Sequence, residues 1–255
     1  MLANKKEQIS NLLKSIETGD PAFISVVNEE KYIQHNPQTH EGSEGLAELF
    51  KRLSKTSPRV NIVRVFEDND FVFAHTEYDF ATRNIGFEIF RFEDGQAVEH
   101  WDNIQKRQEP NVSGNTMIDG ETKVIDHDKT ERNRRVIQSF VEDVLIHGCV
   151  AKLDDYVNRE EFTEHNPRFE NDLDKLSAAL SQPSADGDIP IKYEKMHRLL
   201  AQGNFVLSVC EGHANQVPSS FFDLYRLKDG KIVEHWDTTE AIPAREKWKN
   251  SNGKF

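Results

Sequence analysis

Apolar residues recur along the chain with two periods, in an order that is run through twice. Ile9, Leu12, Leu13 and Ile16 stand at i, i+3, i+4 and i+7, one face of an amphipathic helix. Gly19-Asp20-Pro21 ends that helix and starts a short second one, with Asp20 as N-cap, Pro21 in the first turn and Phe23, Val26 and Val27 turned inward. Pro37 disfavours helix at Asn36, so Tyr32 to Pro37 reads as a turn. After Gly42 a third helix, with Ser43 as its cap, buries Leu46, Leu49, Phe50 and Leu53. From Val60 the period falls to two: Val60, Ile62, Arg64 and Phe66 alternate with Asn61, Val63 and Val65, as in a strand. Further strands are predicted over 71–78, 87–92 and 98–104, the last two joined by an Asp94-Gly95 hairpin turn. Helices first and an antiparallel meander after them make an α+β unit.

Residues 109–126, with Pro110, Gly114 and Gly120 and few apolar positions, read as a linker, after which the pattern restarts. Ile137, Phe140, Val141 and Val144 repeat the first helix; His165-Asn166-Pro167 repeats His35-Asn36-Pro37. Leu176 answers Leu46, and Phe205 answers Phe71. Glu99-His100-Trp101-Asp102 returns whole as Glu234-His235-Trp236-Asp237, each time after an Asp-Gly turn. The spacing between equivalents grows along the chain, which calls for small loop insertions, one of them around 181–188. Two tandem domains are therefore predicted, 1–108 and 127–255.

Composition narrows the partners. A net charge of −12 argues against nucleic acid, whose phosphates attract basic patches. No apolar run approaches the roughly 20 residues that cross a bilayer, and the first residues lack the apolar core of a signal peptide. The two cysteines, Cys149 and Cys210, both fall in the second copy, so no disulfide framework is repeated. A cytoplasmic protein without nucleic-acid or membrane partners is the expectation. The 16 phenylalanines suit a dry core or an apolar pocket wall.

Strand alternation divides the repeated tetrapeptide between two faces. Val98, His100 and Asp102 share one, Glu99, Trp101 and Asn103 the other, and the second copy divides likewise. His100 with Asp102, and His235 with Asp237, are candidate acid/base pairs on a shared face. Glu88 and Asp223, at matching places on the preceding strand, add a second carboxylate per unit. Enolisation beside a carbonyl also needs a proton donor at the developing oxygen, for which His35, His75 and His165 are candidates. His75 has Val209 as its counterpart. The structural alternative is that Trp packs, His holds a loop and Asp pairs with Arg91 or Arg226. His100-x-Asp102 opens a two-His, one-carboxylate iron pattern, but no His follows Asp237. No Cys-x-x-Cys, Gly-rich phosphate loop or Gly-x-Ser-x-Gly elbow is present, so neither metal nor cofactor is expected.

Tyr32 to Pro37 and Phe90-Arg91, Asp94-Gly95 and Glu99 to Asp102 resemble the SnoaL-like polyketide cyclase family of the NTF2-like superfamily. Glu164 to Pro167 and Tyr225 to Asp237 carry the same resemblance in the second copy. It implies two cone-shaped α+β domains, each with a cavity between helices and a curved sheet. A dimer by sheet packing, common in that family, would here be an intramolecular pseudo-dimer. It also implies cofactor-free aldol-type cyclisation or isomerisation of a small carbonyl compound, with an Asp as acid/base. The expected ligand is small and apolar or aromatic. Asp102, His100, Asp237 and His235 would be catalytic, with His35, His165, His75, Glu88 and Asp223 around the substrate. The alternatives are a non-catalytic binding protein, or one active cone with the other as structural partner.

Overall fold

A computed structural model describes residues 4–181 and 190–255, so the insertion expected at 181–188 lies, past Ser181, outside the described residues. The first half opens with helix α1 (Lys5–Lys14), capped by Asn4, whose side chain accepts from the Glu7 N–H. Its apolar stripe is buried as the spacing requires. Asp20 caps the next segment, but Pro21–Val26 winds as a 3₁₀ helix. Three residues per turn, not 3.6, rotate the predicted inner face: Val27 is buried while Phe23 is exposed. Helix α2 (Gly42–Ser54) starts one residue before the expected cap, with Glu41 in that place.

Strand β1 (Ile33–Gln34) runs parallel beside the last strand of a meander formed by β2 (Arg59–Asp68), β3 (Phe71–Asp79), β4 (Arg83–Glu93) and β5 (Gln96–Lys106). The sheet order is β1-β5-β4-β3-β2. The second half repeats it. Helices α3 (Thr130–Phe140), α4 (Leu153–Tyr156) and α5 (Leu173–Ser181) accompany β6 (Thr163–Glu164), β7 (Ile191–Gln202), β8 (Phe205–Ala214), β9 (Val217–Lys228) and β10 (Lys231–Ala241), in the order β6-β10-β9-β8-β7. Both final hairpins turn through left-handed pairs, Asp94-Gly95 (φ 50° and 82°) and Asp229-Gly230 (φ 52° and 82°), the two-residue turn that matches strand twist.

Each sheet has two buried faces. In the first, Val72, Ala74, Tyr78 and Phe90 pack with Ile9, Leu12 and Leu46 of the helices. The other face carries Phe73, Phe87, Ile89 and Trp101, all at most 2% exposed.

The chain divides into compact units otherwise than the expected boundaries of 1–108 and 127–255. One unit comprises residues 1–107 with 242–255, the other residues 108–241. The stretch expected to be a linker belongs to the second unit, with Asn111 and Met117 buried there. Each unit is thus completed by the segment that follows the other's sheet. That packing satisfies edge carbonyls beside the short parallel strands: Asn252 Nδ2 donates to Gln34 O (3.0 Å), and Asn111 and Asn115 Nδ2 donate to Glu164 O (2.7 and 2.9 Å).

Candidate functional site

The register of β4 with β5 sets Glu88 directly opposite Asp102 and Phe90 opposite His100. On β9 and β10 the partners are Asp223 with Asp237 and Tyr225 with His235. Two carboxylates thus stand side by side in each unit on the helix-covered face, together with a histidine. Like charges placed opposite repel unless a proton, a cation or a donor intervenes.

In the first unit His100 Nε2 lies 2.7 Å from Glu88 Oε2, and His100 Nδ1 lies 3.0 Å from Gln34 Oε1. Gln34 Oε1 also accepts from the Asn36 N–H, so it is an oxygen and His100 Nδ1 donates to it. Tyr78 donates to Glu88 Oε1 (2.8 Å), and both oxygens of Glu88 are engaged. Asp102 Oδ2 accepts from Asn36 Nδ2 (2.6 Å), whereas Asp102 Oδ1 is buried without a hydrogen-bond donor. Lys254, brought by the C-terminal segment, donates to Asp102 O (2.8 Å), with its ammonium 3.7 Å from Oδ1. The Tyr32 hydroxyl is also buried without a partner. Burial, then the charges of Asp102 and Glu88, push that phenol well above its usual pKa, so it stays protonated as a donor. Among the described residues, Glu88, His100 and Asp102 bring one ligand atom each to within 4.8 Å of one another, a set that could hold a metal ion. The nearby Lys254 ammonium competes for the same charge.

The second unit keeps this plan and changes its charges. Glu164 replaces Gln34, so His235 lies between two acids: Nδ1 is 2.8 Å from Glu164 Oε1 and Nε2 is 3.2 Å from Asp223 Oδ1. Burial alone would lower the pKa of His235, but the flanking Glu164 and Asp223 carboxylates raise it well above the ordinary value. Tyr193 donates to Asp223 Oδ1 as well (3.0 Å), which leaves Asp223 Oδ2 without a donor. Asp237 Oδ1 is likewise buried and unpartnered. Burial raises Asp237 to a pKa of about 6, with Asp223 and Glu164 pushing the same way against His235 and Arg168. Arg168 stands 3.8 Å from Asp237 Oδ2, propped over the Phe169 ring and against Thr239.

Asp223, Asp237 and His235 form the polar end of a cavity otherwise walled by Phe140, Phe162, Phe169, Tyr193 and Tyr225, with aliphatic side chains between them. Space free of protein atoms, mouth included, is about 520 Å³, of which only about 40 Å³ admits the centre of a water molecule. The cavity is a narrow slot.

Of the residues singled out from sequence, Asp102, His100 and Glu88 converge in the first unit, and Asp237, His235 and Asp223 in the second. His35, His165 and His75 do not join them. His35 follows Gln34 on β1, and strand alternation turns it to the opposite face, where it stacks on Trp101 (4.7 Å) and meets Glu99 Oε1 (2.9 Å) and Gly253 O (2.9 Å). His165 does the same with Trp236 (4.7 Å), Glu234 Oε1 (3.1 Å) and Thr116 O (2.9 Å). His75 accepts from Arg64 Nη1 (2.9 Å) and lies edge-on to Phe87, also on that face. The two central histidines have both ring nitrogens engaged, His100 on Gln34 and Glu88 and His235 on Glu164 and Asp223. Asp102 pairs with Lys254 rather than Arg91, whose partner is Glu99 (2.7 Å).

Sequence patterns passed over Tyr78, Tyr193, Gln34, Glu164, Tyr32 and Arg168. Gln34 and Glu164 could have been found, since each precedes His-Asn-Pro and alternation places it opposite that histidine. The tyrosines could not. Tyr78 on β3 pairs with Val60 on β2, while Tyr193 on β7 pairs with Gly212 on β8, so the hydroxyl comes from neighbouring strands in the two units.

The SnoaL-like domain model matches residues 9–100. No curated protein matches the chain. Among solved structures the chain is similar to TsrD from Streptomyces laurentii at 20% identity, covering 40% of this chain and 92% of that one, with a TM-score of 0.35. An NTF2-like protein from Cytophaga hutchinsonii matches at 15% identity over 41% and 93%, with a TM-score of 0.36. An LEH-like epoxide hydrolase from M. tuberculosis matches at 18% over 44% and 85%, with a TM-score of 0.35.

Proposed function

From a chain whose first unit is a SnoaL-like domain and whose second repeats the same sheet, we propose cofactor-free proton transfer on a small, largely apolar carbonyl compound. The reaction is of the isomerase or aldol-cyclase type. One observation carries this: Asp237 Oδ1 is an unpartnered acceptor at the polar end of a narrow aromatic cavity, on a carboxyl whose pKa of about 6 suits a base near neutral pH. Asp237 takes the proton from the carbon beside the carbonyl. Negative charge then gathers on the carbonyl oxygen, where Arg168 and the Asn166 amide, lining the same end, supply donors. The enolate is reprotonated at another carbon, or it attacks a second carbonyl carbon and closes a ring. Glu164, His235 and Tyr193 position Asp223, and touch no reacting atom.

The first unit supports the same chemistry with other parts, since Asp102 Oδ1 has no hydrogen-bond donor, only the Lys254 ammonium at 3.7 Å, and the Tyr32 hydroxyl has no acceptor. The direct test is exchange of α-protons for deuterium in small aryl ketones, followed by NMR. Exchange is expected to fall by about 10²-fold or more in Asp237→Asn, the usual worth of a positioned base. Exchange that is catalysed by the wild type and undiminished in Asp237→Asn and Asp102→Asn would remove the acid/base reading.

A further inference from the structure

The paired carboxylates of the two units differ by one methylene, and the difference changes what they can hold. Glu88 reaches far enough for its donors to divide, Tyr78 on Oε1 and His100 on Oε2. Asp223 is shorter, and Tyr193 and His235 both fall on Oδ1. Asp223 Oδ2 is left buried, 1% of the residue being exposed, and unpartnered on the cavity wall. Opposite it Asp237 Oδ1 is in the same condition, on a residue 5% exposed. A buried acceptor without a donor is costly, and an ionised one more so.

The charged groups at this end are Glu164, Asp223 and Asp237 against His235 and Arg168. The imidazolium is taken up between Glu164 and Asp223 Oδ1, and Arg168 addresses the other oxygen of Asp237 from 3.8 Å. With the three carboxyls ionised the end carries one negative charge more than positive. The rest of the wall is aromatic, and ring faces attract cations.

We infer that the second unit's cavity is a site for a small organic ammonium ion, a protonated primary or secondary amine on a flat apolar skeleton, anchored by its N–H groups on Asp223 Oδ2. A carboxylate ligand would add repulsion, and a neutral hydrocarbon would leave both oxygens dry. The ammonium anchor deepens the acid/base reading above, on which it rests for the choice of cavity: the substrate becomes a carbonyl compound bearing an amine. The ammonium then sits on Asp223 while Asp237 Oδ1 faces the carbon acid. The first unit has no such anchor, because Glu88 has no free oxygen.

The test is titration calorimetry on the full chain with benzylamine, benzyl alcohol and benzoate. Wild type is expected to bind benzylamine at least 10-fold more tightly than the alcohol, and benzoate not at all. Asp223→Glu keeps the charge and reproduces the first unit's arrangement, and it is expected to erase the preference for the amine; Asp223→Asn should erase it as well. Wild-type affinity for benzylamine should also strengthen as pH rises through about 6, where Asp237 ionises. That measurement needs no variant to fold. Equal affinity for amine and alcohol, no amine binding at millimolar concentration, or an undiminished preference in Asp223→Glu would overturn the inference. Ketone proton exchange without amine preference defeats only the ammonium anchor, whereas amine binding without exchange defeats only the acid/base reading.

Discussion

At Asp237 the proposed role as a base and the stability of the fold pull in opposite directions. Its folded pKa of about 6 lies above the unfolded value of about 3.9. The stability tied to its neutral form is therefore full below the unfolded value and is lost as pH rises through about 6. Asparagine cannot ionise and escapes that loss. Asp237→Asn is expected to be more stable than wild type at pH 8, by on the order of 1–3 kcal/mol for a shift of about two units, with the gap closing near pH 4. Urea denaturation at the two pH values checks it. The proposed base role runs the other way, since only the ionised carboxylate takes a proton, so proton exchange should rise through the same pH range. His235 has the opposite charge but the same direction of shift. Its contribution is full below the unfolded value of about 6.5 and is lost as pH rises from there through its raised pKa.

Among the elements, three positions on adjacent strands have been permuted between the units. The first has Val60, Tyr78 and Gly86, where a Cβ at Gly86 would lie 2.5 Å from the Tyr78 ring. In the second the tyrosine stands on β7 as Tyr193, beside Gly212, where a Cβ would meet Lys192 O at 1.9 Å, and Phe221 packs on the tyrosine ring. Gly86 clears the space that lets the Tyr78 phenol reach Glu88, whereas Gly212 admits the close approach of the β7 backbone at Lys192 and Tyr193. Gly86→Ala and Gly212→Ala should each cost about 1–3 kcal/mol by overpacking, read as a fall in thermal midpoint. Gly86→Ala should also break the Tyr78–Glu88 hydrogen bond. The alternating pattern of the strands was legible without the structure because side-chain direction follows from a two-residue period. The permutation was not, since a tyrosine on either of two paired strands reaches the same point and neither sequence position marks it.

For the whole molecule, the segments beyond β5 and β10 matter more than their composition suggests. Asn250, Asn252, Gly253 and Lys254 supply donors to Asn36 O, Gln34 O and Asp102 O and an acceptor to His35 Nδ1. Deleting residues 250–255 should loosen β1 and the outer edge of β5 while leaving their counterparts in the second unit unchanged. In hydrogen exchange, amides of 33–36 and 99–102 are expected to lose protection while 163–166 and 234–237 keep theirs. Equal loss in both sets would contradict the assignment of this segment to the first unit.

The sequence by itself determined the doubling, the order of helices then meander, and the splitting of Glu-His-Trp-Asp between two faces. These follow from local periodicity and from identity between copies, which need no knowledge of distant contacts. Tertiary structure alone decided what meets across the chain. Parallel pairing of two-residue strands sets Gln34 and Glu164 against His100 and His235, and turns His35 and His165 away onto tryptophan. The reach of one methylene decided that Glu88 is satisfied and Asp223 is not. Such outcomes depend on where backbones lie to within an ångström, and residue spacing along a chain carries no such measure.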